Sequence, residues 1–220
     1  MKKLKIDIVS DVMCPWCIIG YKNLETALAQ LSDEFSADIS WKPFELNPDM
    51  PVEGQDLNEH LQQKYGLSEE QGDENRQRIL EMGEKAGFTF NFDGKRIMIN
   101  SFDLHRLLTW AQTEGKQTEL KLALFKAHFT DLIFLNDQDN LLNVVQGVGL
   151  DRARAKEILD SGEYFQEVRN EQNALHQMGI TSVPTFIIND QYALTGGQPS
   201  DAFVQAFKQI AEQEAQQQQQ

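Results

Sequence analysis

The 220 residues carry a formal charge of −14, from 20 basic and 34 acidic side chains, and 40% of them are hydrophobic. A chain of this size and composition buries an ordinary globular core without disulfide staples, as one domain with an insertion or as two small domains. It offers no basic stripe for nucleic acid and no run approaching the ~18 apolar residues of a membrane span.

The first segment, MKKLKIDIVSD, starts basic, but Asp7, Ser10 and Asp11 interrupt its apolar run. A secretory signal needs an unbroken apolar stretch and a small-residue cleavage site. The alternation of Leu4, Ile6 and Ile8 instead predicts a strand over 4–9. A cytoplasmic location, where thiols are kept reduced, is therefore expected. Tyr21, Leu24, Leu28 and Leu31 then repeat at helical spacing, so a helix starts near positions 14–17. ADISWKPFEL is extended, with Ile39 and Trp41 alternating and Pro43 suited to a strand end or edge. The opening thus reads as a βαβ-like unit.

From 55 to 178 the pattern turns helical. Leu104, Leu107, Leu108 and Ala111 make one apolar stripe, with Ser101 as the expected N-cap, and Leu120, Ala123, Leu124 and Ala127 make a second. Gly147, Gly149 and Gly162 punctuate further short helices, and Gly94 marks a small irregular or hairpin-like piece between FTFNFD and KRIMI. Strand character returns at VPTFIIND and YALTGG, joined by an Asn189-Asp190 turn. A last helix begins near Pro199 or Ser200 and repeats Phe203, Phe207 and Ile210. The glutamine tail over 216–220 is expected to be disordered.

The chain's two cysteines, Cys14 and Cys17, stand in SDVMCPWCIIG. Half of a zinc site, a structural disulfide and a redox-active dithiol are the competing readings. Structural zinc takes four Cys or His ligands, and His60, His105, His128 and His176 lack ligand spacing, so no metal is expected. A disulfide closing so short a loop gains little chain entropy. The redox reading has a physical basis: a helix N-terminus favours the thiolate, the reactive form, and Pro15 suits the first helical turn. Cys14, expected to present its sulfur to solvent, is the nucleophile on this reading, and the shielded Cys17 resolves the mixed disulfide.

With CPWC, the long helical stretch, NSFDLHRLL, LFKAHFTDLIFLND, TSVPTFI and GGQP, the chain resembles the DsbA-like branch of the thioredoxin superfamily, and within it the FrnE-like members. The resemblance implies an α/β thioredoxin fold interrupted by a large helical insertion, with the thioredoxin domain over 1–54 plus 179–215 and the insertion over 55–178. It implies a thiol–disulfide oxidoreductase with Cys14 and Cys17 catalytic. The loop Val183, cis-Pro184 and Thr185, with Pro15 and Trp16, would contact substrate. Trp16 replaces the histidine of the periplasmic oxidases, which places the expected potential between those of thioredoxin, about −270 mV, and DsbA, about −120 mV. Where relatives often hold a buried acid, this chain has Ile8; Asp11 suits a turn or capping role.

Kappa-class glutathione transferases and 2-hydroxychromene-2-carboxylate isomerases share the interrupted architecture. They support an alternative, a glutathione-dependent isomerase or transferase. In both cases the expected partners are protein or peptide thiols and disulfides, or glutathione as co-substrate, with no other cofactor. His105 is a candidate for the substrate groove, although its place beside the Leu104/Leu108 stripe fits helix packing as well. His128 reads as a core residue. The sequence sets no oligomeric state.

Overall fold

Strand β1 (Lys2–Ser10) is buried at every position from Ile6 to Ser10, the pattern of a strand covered on both faces. A computed structural model describes residues 1–217 and places β1 inside a four-stranded sheet of order β2-β1-β5-β6. β2 (Phe35–Pro43) runs parallel to β1, with Ile8 opposite Trp41, after the crossover helix α1 (Pro15–Gln30). β5 (Thr185–Ile188) pairs antiparallel on the other side, with Ile8 opposite Phe186, and β6 (Tyr192–Thr195) extends it. Pro43 ends β2 at the sheet edge, where its missing N–H costs no ladder bond. Asn189 and Asp190 make the β5–β6 turn with φ of 51° and 58°, the left-handed conformation these residues tolerate.

Leu4, Ile6, Ile8 and Phe186 face α1 and α9 (Ser200–Gln217), whose Phe203 and Phe207 are fully buried. Phe186 and Phe203 meet edge to face with centroids 4.9 Å apart. A Cβ on Gly20 would stand 3.0 Å from the Phe186 ring, so this glycine sets how closely α1 lies on β5. On the opposite face Val9 and Ile187 pack with Leu175. That leucine belongs to α8 (Phe165–Gln177), which lies within the segment expected to be inserted and yet covers the sheet. Gln216 and Gln217 are helical in α9, which corrects the expected disorder for those two residues; 218–220 lie outside the described residues.

Between β2 and β5 run β3 (Gln55–Asp56), α2 (Leu57–Tyr65), α3 (Glu69–Ala86), β4 (Ile97–Met98), α4 (Phe102–Thr113), α5 (Gln117–Phe129), α6 (Gln138–Gly147), α7 (Arg152–Asp160) and α8. Of the two forms expected around Gly94, the irregular one is present and no hairpin forms. Ile97 and Met98 pair instead with Gln55 and Asp56, a partner about forty residues back that no local turn signal encodes. Ser101 precedes α4 but makes no side-chain cap; Asn100 Oδ1 accepts from Phe102 N at 2.9 Å in its place.

Candidate active site

Cys14 is the N-cap residue of α1, with extended backbone (φ −97°, ψ 111°), and Pro15 follows at the first helical turn. Cys14 N donates to Asp11 O at 3.2 Å, and Cys17 N to Cys14 O at 3.1 Å. This tight entry fixes both sulfurs one turn apart at the positive end of α1. Val183 and Pro184 are joined by a cis peptide bond, and Cys14 Sγ donates to Val183 O at 3.8 Å. Sequence positions 169 apart are thereby brought together. Gly197, of the GGQP segment, lies against Trp16 so closely that a Cβ there would stand 3.3 Å from its ring. Asn23 Nδ2 ties α1 to Gln198 O at 2.8 Å.

Cys14 is not presented to bulk solvent, as the sequence led one to expect: it is 4% exposed, and Cys17 fully buried. The helical segment covers it, leaving a cavity of about 500 Å³ that Cys14, Pro15, Trp16 and Val183 share with residues of α2, α3 and the 92–98 segment. Thr185 and His105 are outside its lining. Thr185 is buried and donates its hydroxyl to Ser182 O at 2.8 Å. His105 is 2% exposed, with Nε2 2.9 Å from Phe44 O and 3.5 Å from Asp11 Oδ1. Both neighbours are acceptors, so the hydrogen belongs on Nε2. The expectation that His105 lines a substrate groove is therefore corrected: it sits on the packed stripe of α4 and braces Asp11.

Asp11, 1% exposed, accepts from Met13 N at 3.3 Å and Leu46 N at 2.8 Å. Burial alone would raise its pKa, but the His105 hydrogen bond and charge, the Leu46 N–H and Lys121 together hold the carboxyl below its ordinary value. The two thiols split in opposite directions. The hydrogen bond to Cys17, then burial, push Cys14 well up. Burial also opposes ionisation of Cys17, yet the hydrogen bond from Cys14 and the positive charge of Lys121 carry it below the usual thiol value. The reduced pair thus loses one proton readily and holds the other.

Lys121 is a residue the sequence reading missed, since on paper it is one more helix lysine. It is 1% exposed, with its ammonium 5.4 Å from the centre of the Trp41 ring and 5.1 Å from that of Phe125. Burial lowers its pKa to about 8 against the pull of Cys17, Asp11 and Cys14. His128, read as a core residue, lines the cavity and packs on Phe129 with centroids 4.6 Å apart. Burial brings its pKa down to about 4, so it is neutral at pH 7. No group of three or more His, Cys, Asp or Glu able to hold a metal occurs among the described residues.

A family model, the DSBA-like thioredoxin domain, matches residues 5–208. The uncharacterised protein YwbO of Bacillus subtilis is 29% identical over 204 residues, 92% of this chain and 94% of its own length. Among solved structures, a probable DsbA oxidoreductase of Streptomyces coelicolor is 30% identical with a TM-score of 0.86, covering 94% of this chain and 89% of that one. A 2-hydroxychromene-2-carboxylate isomerase shares the fold at 16% identity and a TM-score of 0.69, over 96% of this chain and 98% of its own.

Proposed function

The chain belongs to the DSBA-like thioredoxin domain family, a family of thiol–disulfide oxidoreductases, and on that premise we propose that it exchanges disulfides through Cys14, with Cys17 as the resolving thiol. The observation that carries this reading is the arrangement of the two sulfurs: Cys14 faces the cavity and Val183 O, while Cys17 lies fully buried one turn further along α1.

In the reducing direction Cys14 Sγ, its proton lost to solvent, attacks one sulfur of a substrate disulfide. The displaced thiolate leaves with a proton from solvent. Cys17, once deprotonated, attacks Cys14 Sγ and expels the second substrate thiolate. Two electrons pass to the substrate, and a Cys14–Cys17 disulfide remains. The oxidising direction is the reverse. The Val183 carbonyl borders the attacking sulfur, and Trp16 walls the approach. Glutathione is the proposed recycling thiol in a cytoplasmic setting. The cytosolic disulfide reductase DsbM of Pseudomonas aeruginosa, whose structure with GSH shares this fold at 16% identity and a TM-score of 0.61, supports that choice as analogy. No helix among the described residues is long and apolar enough to cross a membrane.

The test is redox equilibration in glutathione buffers, followed by tryptophan fluorescence, with two variants. Cys14→Ser is expected to abolish turnover, and Cys17→Ser to accumulate mixed disulfides. Normal turnover by Cys17→Ser, with glutathione bound non-covalently, would replace this mechanism by the isomerase or transferase alternative.

A further inference from the structure

The cavity over Cys14 has a charge pattern the chain as a whole does not predict. The protein carries 34 acidic residues and a formal charge of −14, yet no Asp or Glu lines this cavity. Its walls are mostly apolar, and its volume of about 500 Å³ suits a small organic ligand rather than a folded surface. Its ionisable lining, besides Cys14 and the tyrosine hydroxyl at Tyr65, consists of His60, His128, Arg76 and Arg96. Burial lowers both histidines, which leaves them neutral at pH 7. Arg76 is engaged by Asp73 and by Asn58 Oδ1, the latter at 3.0 Å. Arg96 is different: its guanidinium lies on the Phe92 ring, 3.8 Å from the centroid, with no acidic or hydrogen-bonding partner for its side chain among the described residues. Burial and the like charge of Arg76 bring its pKa down to about 10, so it is still a cation at pH 7.

A guanidinium without a counter-ion, half-buried in an apolar wall, leaves its forked donors unused, and that geometry matches a carboxylate or another oxyanion. We propose that the site takes a small disulfide or thiol with an apolar, ring-bearing body and an anionic group, the body filling the cavity beside Trp16 and the anion pairing with Arg96. This deepens the oxidoreductase reading and rests on it. The chemistry is the exchange already described: Cys14 Sγ forms a bond to one sulfur of the ligand, the ligand's S–S bond breaks, and the other half leaves as a thiolate. The preference also separates this substrate class from glutathione disulfide, which is anionic but has a polar peptide body that the apolar walls would desolvate without pairing.

Single-turnover oxidation of the fully reduced full-length protein at pH 7 tests this with three probes: 5,5′-dithiobis(2-nitrobenzoate), an aromatic dianion; 4,4′-dithiodipyridine, a neutral aromatic; and glutathione disulfide. Arg96→Gln is expected to lower the ratio of the dianion rate to the neutral aromatic rate about tenfold, the usual order for losing one charge-assisted pair. Arg96→Lys should keep part of the preference. Arg152→Gln, at a partly exposed arginine held by Asp139 away from this cavity, serves as control for net charge and should leave the ratio unchanged. The inference is overturned if Arg96→Gln leaves the ratio as it was, if Arg152→Gln moves it equally, or if glutathione disulfide outpaces both aromatic probes once each rate is divided by that of the same probe with free cysteine, which removes the leaving-group effect. Those results would leave the oxidoreductase reading standing. Failure of every disulfide to oxidise the pair would sink both.

Discussion

At the scale of single residues, Lys121 carries the sharpest electrostatic consequence. Its pKa falls from 10.5 to about 8 because burial disfavours the ammonium. Between those two values the unfolded chain binds more protons than the folded one, so stability rises with pH through that window, and below it the full penalty applies. The penalty is on the order of 3 kcal/mol at neutral pH. Lys121→Met should therefore be more stable than the parent at pH 7 in urea melts, with the advantage shrinking as pH approaches 10.5. The same change should raise the first thiol ionisation of the Cys14–Cys17 pair, read as thiolate absorbance near 240 nm, because Lys121 is the cation that favours the Cys17 thiolate. A variant that gained stability but kept its thiolate titration would remove Lys121 from the electrostatics of the pair. That Cys14 and Cys17 would meet a cis-Pro184 segment was legible in short motifs and the family resemblance they carry. Lys121 and Arg96 were not, since each acquires its meaning from the segments folded around it, and of Asp11 only the turn role, seen in the Met13 N bond, was readable, not its Leu46 and His105 partners.

Glycines show, element by element, why local propensity misleads. In α3, Gly83 reads as a helix-weakening residue that alanine would improve by about 1 kcal/mol. A Cβ there would lie 2.4 Å from Phe90 Cδ2 and 3.0 Å from Phe88 O, so α3 packs directly on the FTFNF segment. Gly83→Ala is expected to destabilise by about 1–3 kcal/mol, the range for overpacking. Gly147, at the end of α6, has nothing within 4 Å of a built Cβ and no positive φ. Gly147→Ala should stabilise by about 0.5–1 kcal/mol. Thermal melts of the two variants moving in the same direction would refute this account. The helices themselves were readable, because apolar stripes such as Leu104, Leu107 and Leu108 need only a helical period. The β3–β4 pair was not, because two-residue strands carry no period, and their partnership is set by the tertiary placement of the 92–98 segment.

On the scale of the whole molecule, the helical segment does more than roof the cavity; it finishes the sheet. β2 is an edge strand, and an open edge leaves backbone donors and acceptors bare. Gln117 of α5 closes it by accepting from Trp41 N at 2.9 Å and donating to Trp41 O at 3.0 Å, both bonds buried. Thr118 Oγ1 then accepts from Trp41 Nε1 at 3.0 Å. The indole held this way supports Lys121 and meets Tyr21 of α1 at a tilt, with centroids 5.0 Å apart, so the clamp links sheet, crossover helix and helical segment around the buried sulfur. From the other side the Glu45 side chain, 3% exposed, is bound by Arg169 and by Gln172 Nε2 of α8. These joints imply that sheet and helical segment unfold together. Gln117→Leu preserves bulk but leaves two buried main-chain groups unpaired, at about 1–3 kcal/mol each. It should shift a single urea transition to lower concentration, with far-ultraviolet circular dichroism and tryptophan fluorescence still coincident. If the two probes separate already in the parent protein, the helical segment folds as its own unit, and the Trp41 clamp is a contact between units rather than part of one core.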